Sequence, residues 1–128
     1  MGQADALKKY REMEIKTSSP AKLILILYNE AIKCLNRAKE KIKVKNVEES
    51  NDLLIRAQKI IRELMCSLNL KIGEMATRWY SLYEYIYYRL IQANLQKDVQ
   101  IIDEALDLLK PLRDAWIKAM EEVNENRN

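Results

Sequence analysis

Apolar residues recur along this chain at alternating steps of three and four, the spacing that puts them on one face of an α-helix. The first such series is Ile24, Tyr28, Ala31, Leu35, Ala38 and Ile42, and it predicts a long helix over about 20–43. Its start is marked chemically, because Thr17, Ser18 and Ser19 precede Pro20. A hydroxyl cap followed by Pro suits a helix N-terminus, where Pro's missing N–H would be unpaired anyway. Leu23, Leu25, Ile26 and Leu27 make the first two turns hydrophobic almost all round. After the short connection from Val44 to Asn46, Leu54, Ala57, Ile61, Leu64 and Leu68 predict a second helix over about 47–70. Leu53, Ile60 and Met65 widen its stripe, Asn46 is its expected cap, and Glu48 and Glu49 suit the positive helix end.

Gly73 supplies the turn into a third helix, about 74–96, with the series Met75, Trp79, Leu82, Ile86, Leu90 and Ala93. A neighbouring stripe, Ala76, Tyr80, Tyr83, Tyr87 and Ile91, runs beside it. Asp98 caps a fourth helix reaching about Val123, carrying Val99, Ile102, Leu106, Leu109, Trp116 and Met120. Pro111 falls inside it and is expected to kink it. Four helices with short connections imply an all-α fold, an antiparallel up-down four-helix bundle. The expected organisation is a mobile helical or extended N-terminal segment at 1–18, the bundle at 19–123 and a frayed tail at 124–128. In the first segment, Ala6, Tyr10 and Met13 give only a thin apolar side.

Composition narrows the chemistry. The 128 residues contain only two glycines and two prolines, too few for the turns of a β protein, and no histidine at all. Di-iron bundle sites built on Glu-x-x-His, Ser–His and Cys–His nucleophile pairs are therefore excluded. Glycine-rich phosphate loops are excluded as well, since glycine stands only at positions 2 and 73. Cys34 and Cys66 have no ligand-spaced neighbours and read as small core residues of a reduced protein. No metal site, no cofactor and no enzyme activity are expected. The net charge of +3, with basic and acidic residues interleaved, argues against a nucleic-acid partner. Met1 to Arg11 lacks the apolar core of a signal peptide, and the longest apolar run, Leu23 to Tyr28, is far short of a membrane span. A cytoplasmic location is the expectation.

A self-contained bundle needs roughly three apolar positions in seven on each helix, and the first, third and fourth helices show a second stripe beside the first. Part of that surplus closes the core. The rest is available to grooves between helices, where an added amphipathic helix could dock. The tyrosines fit either place, since each combines apolar area with a polar tip.

The segments YREMEIKTSSPAKLILILYNEAIKCLNRA, NDLLIRAQKIIRELMCSLN, SLYEYIYYRLIQAN and LLKPLRDAW, in that order, resemble the FliS family of flagellar secretion chaperones. The resemblance rests on Tyr10, Ile15, the turn from Thr17 to Pro20 and the stretch from Leu27 to Ile32. Later landmarks are Ala57, Ile61, Leu64, Leu82, Tyr83, Arg89, Leu90, Ala93, Asn94, Arg113 and Trp116. Ser18, Asn29, Glu30 and Trp79 depart from the family's usual residues. The resemblance implies a chaperone that holds the disordered C-terminal region of flagellin in apolar grooves and prevents its premature polymerisation. Further partners would be the flagellar export apparatus or flagellar regulatory proteins, and the chaperone would be a monomer or weak homodimer. Groove residues are then expected among Leu23, Ile26, Leu27, Tyr28, Cys34, Tyr80, Tyr83 and Tyr87, with Tyr10 and Ile15 folding back over the empty site. Asn94 is expected to cap a helix end or touch the partner, and Arg113 to snorkel, pair within the bundle or touch the partner. The alternative is a self-associating bundle that scaffolds another partner.

Overall fold

Each of the four hydrophobic stripes folds as one helix. The computed structural model describes residues 20–68 and 73–127, and among them it contains four α-helices and no strand. They are α1, Pro20–Lys43; α2, Val47–Ser67; α3, Glu74–Gln96; and α4, Val99–Arg127. The expected N-terminal segment, with Tyr10 and Ile15, lies outside the described residues. α1 packs on α2 and α4, and α3 on the same two, while the diagonal pairs keep their backbones apart. This ring is the up-down-up-down bundle that the short connections imply.

Two boundaries differ from the sequence expectation. α2 stops at Ser67 rather than Leu70: Leu68 takes an extended conformation, φ −77° and ψ 136°. The Ser67 hydroxyl donates to the Leu64 carbonyl at 2.7 Å, the local bonding by which Ser competes with the helix ladder. α4 continues helical to Arg127, into the expected frayed tail. Neither Gly nor a second Pro follows Pro111 to stop it, and Glu121 and Glu122 are good helix formers. Pro111 sits on an exposed face within the helix. There water can serve the Asp107 carbonyl that loses its ladder donor.

The two connections at one end are built from capping chemistry. Lys45 adopts φ 60°, its N–H donates to the Ile42 carbonyl at 3.0 Å, and the Asn46 N–H reaches the Lys41 carbonyl at 2.9 Å. These are the two bonds of a Schellman ending, with lysine where glycine is usual. The Asn46 side chain then accepts from the Glu49 N–H at 3.1 Å, as its capping role requires. Lys41 and Glu49 pair at 2.9 Å across the same turn. The α3–α4 turn also uses a left-handed lysine, Lys97 at φ 52°, but there the Lys97 and Asp98 N–H groups both reach the Ala93 carbonyl, and the Asp98 side chain accepts from the Gln100 N–H at 2.9 Å.

The core takes Tyr28, Ala31, Leu35 and Ala38 from α1, and Leu54, Ala57, Ile61 and Leu64 from α2. α3 adds Tyr83, Ile86, Leu90 and Ala93, and α4 adds Ile102, Ala105, Leu106 and Leu109. Met75, expected in this series, is instead 73% exposed, because it lies in the first turn of α3 beyond the packed layers. Cys66 is exposed too, whereas Cys34 is buried. The α2 stripe passes through Leu64 and Leu68, and position 66 falls between them on the outer face.

One polar contact crosses the core. The hydroxyls of Tyr28 and Tyr83 hydrogen-bond to each other from diagonally opposite helices, both side chains being buried. Burial pushes both phenols up, Tyr83 to about 12 despite its hydrogen bond from Tyr28, and Tyr28 further still. The edge of the Trp79–Tyr83 pair, 6.3 Å between centroids at 89°, completes an aromatic layer.

Removing one hydroxyl strands the other in the core. We expect Tyr28→Phe or Tyr83→Phe alone to destabilise the bundle by roughly 1–3 kcal/mol in urea titrations, and the double variant to lie nearer wild type. The pair also makes stability fall with alkali. A phenol with a raised folded-state pKa keeps its proton while the unfolded chain loses it, so its contribution is complete below about pH 10 and declines as pH rises toward about 12. The double Phe variant should therefore show a shallower loss than wild type between about pH 10 and about 12. At the first turn, Lys45→Gly should raise the unfolding free energy by about 0.5–1 kcal/mol, seen as a higher urea midpoint at unchanged slope, because it relieves a left-handed non-glycine residue.

Candidate functional site

A groove opens between α2 and α3. Arg62, Met65 and Cys66 form its α2 wall, Tyr80, Glu84, Tyr87 and Tyr88 its α3 wall, around a cavity of about 290 Å³. Steps of three and four bring each set onto one helix face. Tyr87 is half-buried and packs against the core, and Tyr88, 60% exposed, meets it edge-on at 5.5 Å between ring centroids. Among the described residues the hydroxyls of Tyr80, Tyr87 and Tyr88 have no hydrogen-bond partner, so each faces water over an apolar ring. Arg62 and Glu84 stand exposed on opposite walls, and neither carries an ion pair among the described residues. The groove can therefore bury apolar side chains under a rim that offers hydrogen bonds and both signs of charge.

A second cleft of about 280 Å³ lies between α1 and α2, lined by Arg37, Glu49, Asp52, Leu53 and Arg56. Four of its five side chains are charged, so it offers little apolar contact. Beside it, Arg56 pairs with Glu30 at 2.6 Å and ties α2 to α1. Cys34 Sγ lies 4.0 Å from the same carboxylate, and burial pushes its thiol up to about 11, which leaves it a packing group. Among the described residues no group of three or more His, Cys, Asp or Glu is placed to hold a metal ion.

The sequence-predicted binding residues separate into three groups. Tyr80 and Tyr87 line the groove. Leu23 and Ile26 are half-buried on the first turns of α1. Leu27, Tyr28, Cys34 and Tyr83 lie in the core, where they support the surface from beneath instead of lining it. The groove also uses residues that the sequence did not place in a binding surface: Tyr88, Arg62, Met65, Cys66 and Glu84. For Tyr88 the signal was present, since it belongs to the aromatic run from Trp79.

Asn94 and Arg113 both have partners within the bundle. Asn94 donates to Asn51 at 2.8 Å and accepts from Lys97, so it joins α3 to α2 near the Lys97 turn. Arg113 pairs with its neighbour Asp114 at 3.2 Å and reaches Asn29 on α1 at 3.4 Å. The Trp116 indole N–H donates to the Ala21 carbonyl at 2.9 Å, fastening α4 to the first turn of α1.

Among the described residues no helix is long and apolar enough to cross a membrane. A family model described as "Flagellar protein FliS" matches residues 3–123. The chain is 34% identical to the flagellar secretion chaperone FliS of Bacillus subtilis, over 93% of this chain and 89% of that one. Its identity to the flagellar secretion chaperone FliS of Salmonella typhimurium is also 34%, covering 91% of this chain and 90% of the relative. In fold it matches a solved structure described as a flagellar chaperone from bacteria, with a TM-score of 0.76 at 24% identity, over 93% of this chain and 98% of that one. With four helices in the same bundle and a family match over nearly the whole chain, this protein belongs to the FliS family of flagellar secretion chaperones, which are chaperones and not enzymes.

Proposed function

We propose that the protein is a cytoplasmic export chaperone that binds the C-terminal region of flagellin, blocks its polymerisation and keeps it ready for export. The observation that carries this reading is the open, tyrosine-walled groove between α2 and α3 on a chain of this family. A disordered segment docking there would fold as it binds, burying apolar side chains against Met65, Tyr80 and Tyr87 while the rim stays wet. The half-buried Leu23 and Ile26 on α1 offer a second apolar contact. Tyr10 and Ile15, in the segment before the Ser-Ser-Pro turn, would rest near Leu23 when the chaperone is empty and be displaced by flagellin. The flagellar export apparatus, and flagellar regulatory proteins, would be further partners of the loaded or empty chaperone.

The test is calorimetric titration with a peptide of roughly the last 40 residues of the flagellin from the same cell, a scrambled peptide serving as control. One-to-one binding with a negative heat-capacity change is expected, the sign of apolar burial coupled to folding. Tyr88→Ser, at an exposed position that leaves the core intact, should weaken binding about tenfold, roughly 1.4 kcal/mol. Deleting residues 1–16 should leave the helices folded and tighten binding by removing the competing segment. Absence of binding, with concentration-dependent dimers on gel filtration, would return the reading to a self-associating scaffold.

A further inference from the structure

We infer that the α2–α3 groove is built for one kind of helix in one orientation: an apolar ridge with an acidic flank toward α2 and a basic flank toward α3. The inference rests on the docking role proposed above and concerns what the docked helix must carry. Its basis is the difference between the two walls. On α2, Arg62 edges the cavity, and Lys59, three residues earlier, lies on the same side of the helix and is also exposed. On α3 the charged residue at the edge is Glu84. The α2 rim is basic and the α3 rim acidic, with the tyrosine and methionine floor between them.

These charges are also uncommitted. Elsewhere on the bundle, opposite charges on adjacent helices find each other, as in Lys39–Asp103 at 2.5 Å, Arg56–Glu30 at 2.6 Å and Arg89–Glu104 at 2.9 Å. Among the described residues Lys59, Arg62 and Glu84 carry no such pair. The groove holds Arg62 and Glu84 apart on opposite walls, so a helix lying between them meets both. Its flank residues would complete the two pairs that the empty groove leaves open.

The asymmetry also sets direction. A helix turned end for end, by a half-turn about the normal to the groove, keeps its apolar ridge in the groove but exchanges its two flanks. The same segment that pairs on both walls in one direction meets like charges on both in the other. Apolar contacts alone do not make this distinction, because Tyr80, Tyr87 and Met65 accept methyl groups from either direction.

The experiment uses the full chain and the flagellin C-terminal peptide of the preceding section, with Arg62→Glu and Glu84→Arg made separately. Both positions are exposed, and circular dichroism should show unchanged helicity. Each reversal should weaken binding by about threefold to tenfold in low salt, and the differences should shrink at about 1 M salt, where charges are screened within about 3 Å. Arg62→Gln should lose about half as much as Arg62→Glu. Loss at one wall only, a gain at either, or no change at both would overturn the inference. Provided Tyr88→Ser still weakens the complex in those cases, the docking site itself would stand. If wild type fails to bind the peptide, the proposed function and this inference both fall.

Discussion

The diagonal bond between the hydroxyls of Tyr28 and Tyr83 constrains how the rest of the bundle can be filled. Two tyrosines meeting across the centre need more room than the alanines found in other layers. Counted along the helices from the Lys45 and Lys97 turns, Ala38, Ala93 and Ala105 lie nearer that end. Tyr28, Tyr83, Trp79 and Trp116 lie nearer the other. Small residues let helix axes approach, and large ones hold them apart. The α2–α3 groove borders the aromatic part of the bundle: Tyr80, Arg62 and Met65 flank the layer that holds Tyr83.

That arrangement explains which features could be read from the sequence. Helix positions followed from the steps of three and four, from Pro20 at the start of α1 and from the caps at Asn46 and Asp98, all local features. The division of the tyrosines was not local. Tyr80, Tyr83 and Tyr87 share one stripe, yet Tyr83 enters the core and its two neighbours line the groove. A turn of about 100° per residue spreads such a stripe over two adjacent faces, and the placement of α2 and α4 on either side of α3 decides which face is covered. Cys66 was legible in principle, because it lies two residues from Leu64 and out of phase with the buried positions. Arg62 and Glu84 carry no periodic signal, and only the packing of α2 beside α3 makes them opposite walls.

The size of the groove bears on how such a chaperone would hold a long segment. At about 290 Å³ it is at the lower limit for a small-molecule pocket, room for a few side chains from the ridge of a helix lying over it. A flagellin segment would therefore spread its contacts over several shallow places, the first turns of α1 among them, each contributing modestly. Folding on binding subtracts ordering entropy from that sum. Moderate affinity suits a carrier, since cargo that must be handed to an export machine has to leave again. Rigid core residues beneath the surface, such as Leu64 and Ile86, keep these shallow contacts in register without adding to the cargo's grip.

A weak apolar site of this kind has little means of telling one amphipathic helix from another. Leucine, isoleucine and methionine ridges all suit Met65, Tyr80 and Tyr87, and tyrosine hydroxyls accept either donors or acceptors. Discrimination then falls to the rim, where charge contributes little to affinity but penalises the wrong partner or the wrong direction. That Lys59, Arg62 and Glu84 carry no ion pair among the described residues forgoes little, because exposed ion pairs contribute at most about 1 kcal/mol to stability. The same charges opposite a docked helix act at a partly desolvated edge, where each is worth more than in open water. On this argument the bundle draws its stability from its alanine and leucine layers. The rim charges proposed for recognition are ones that carry no ion pair among the described residues.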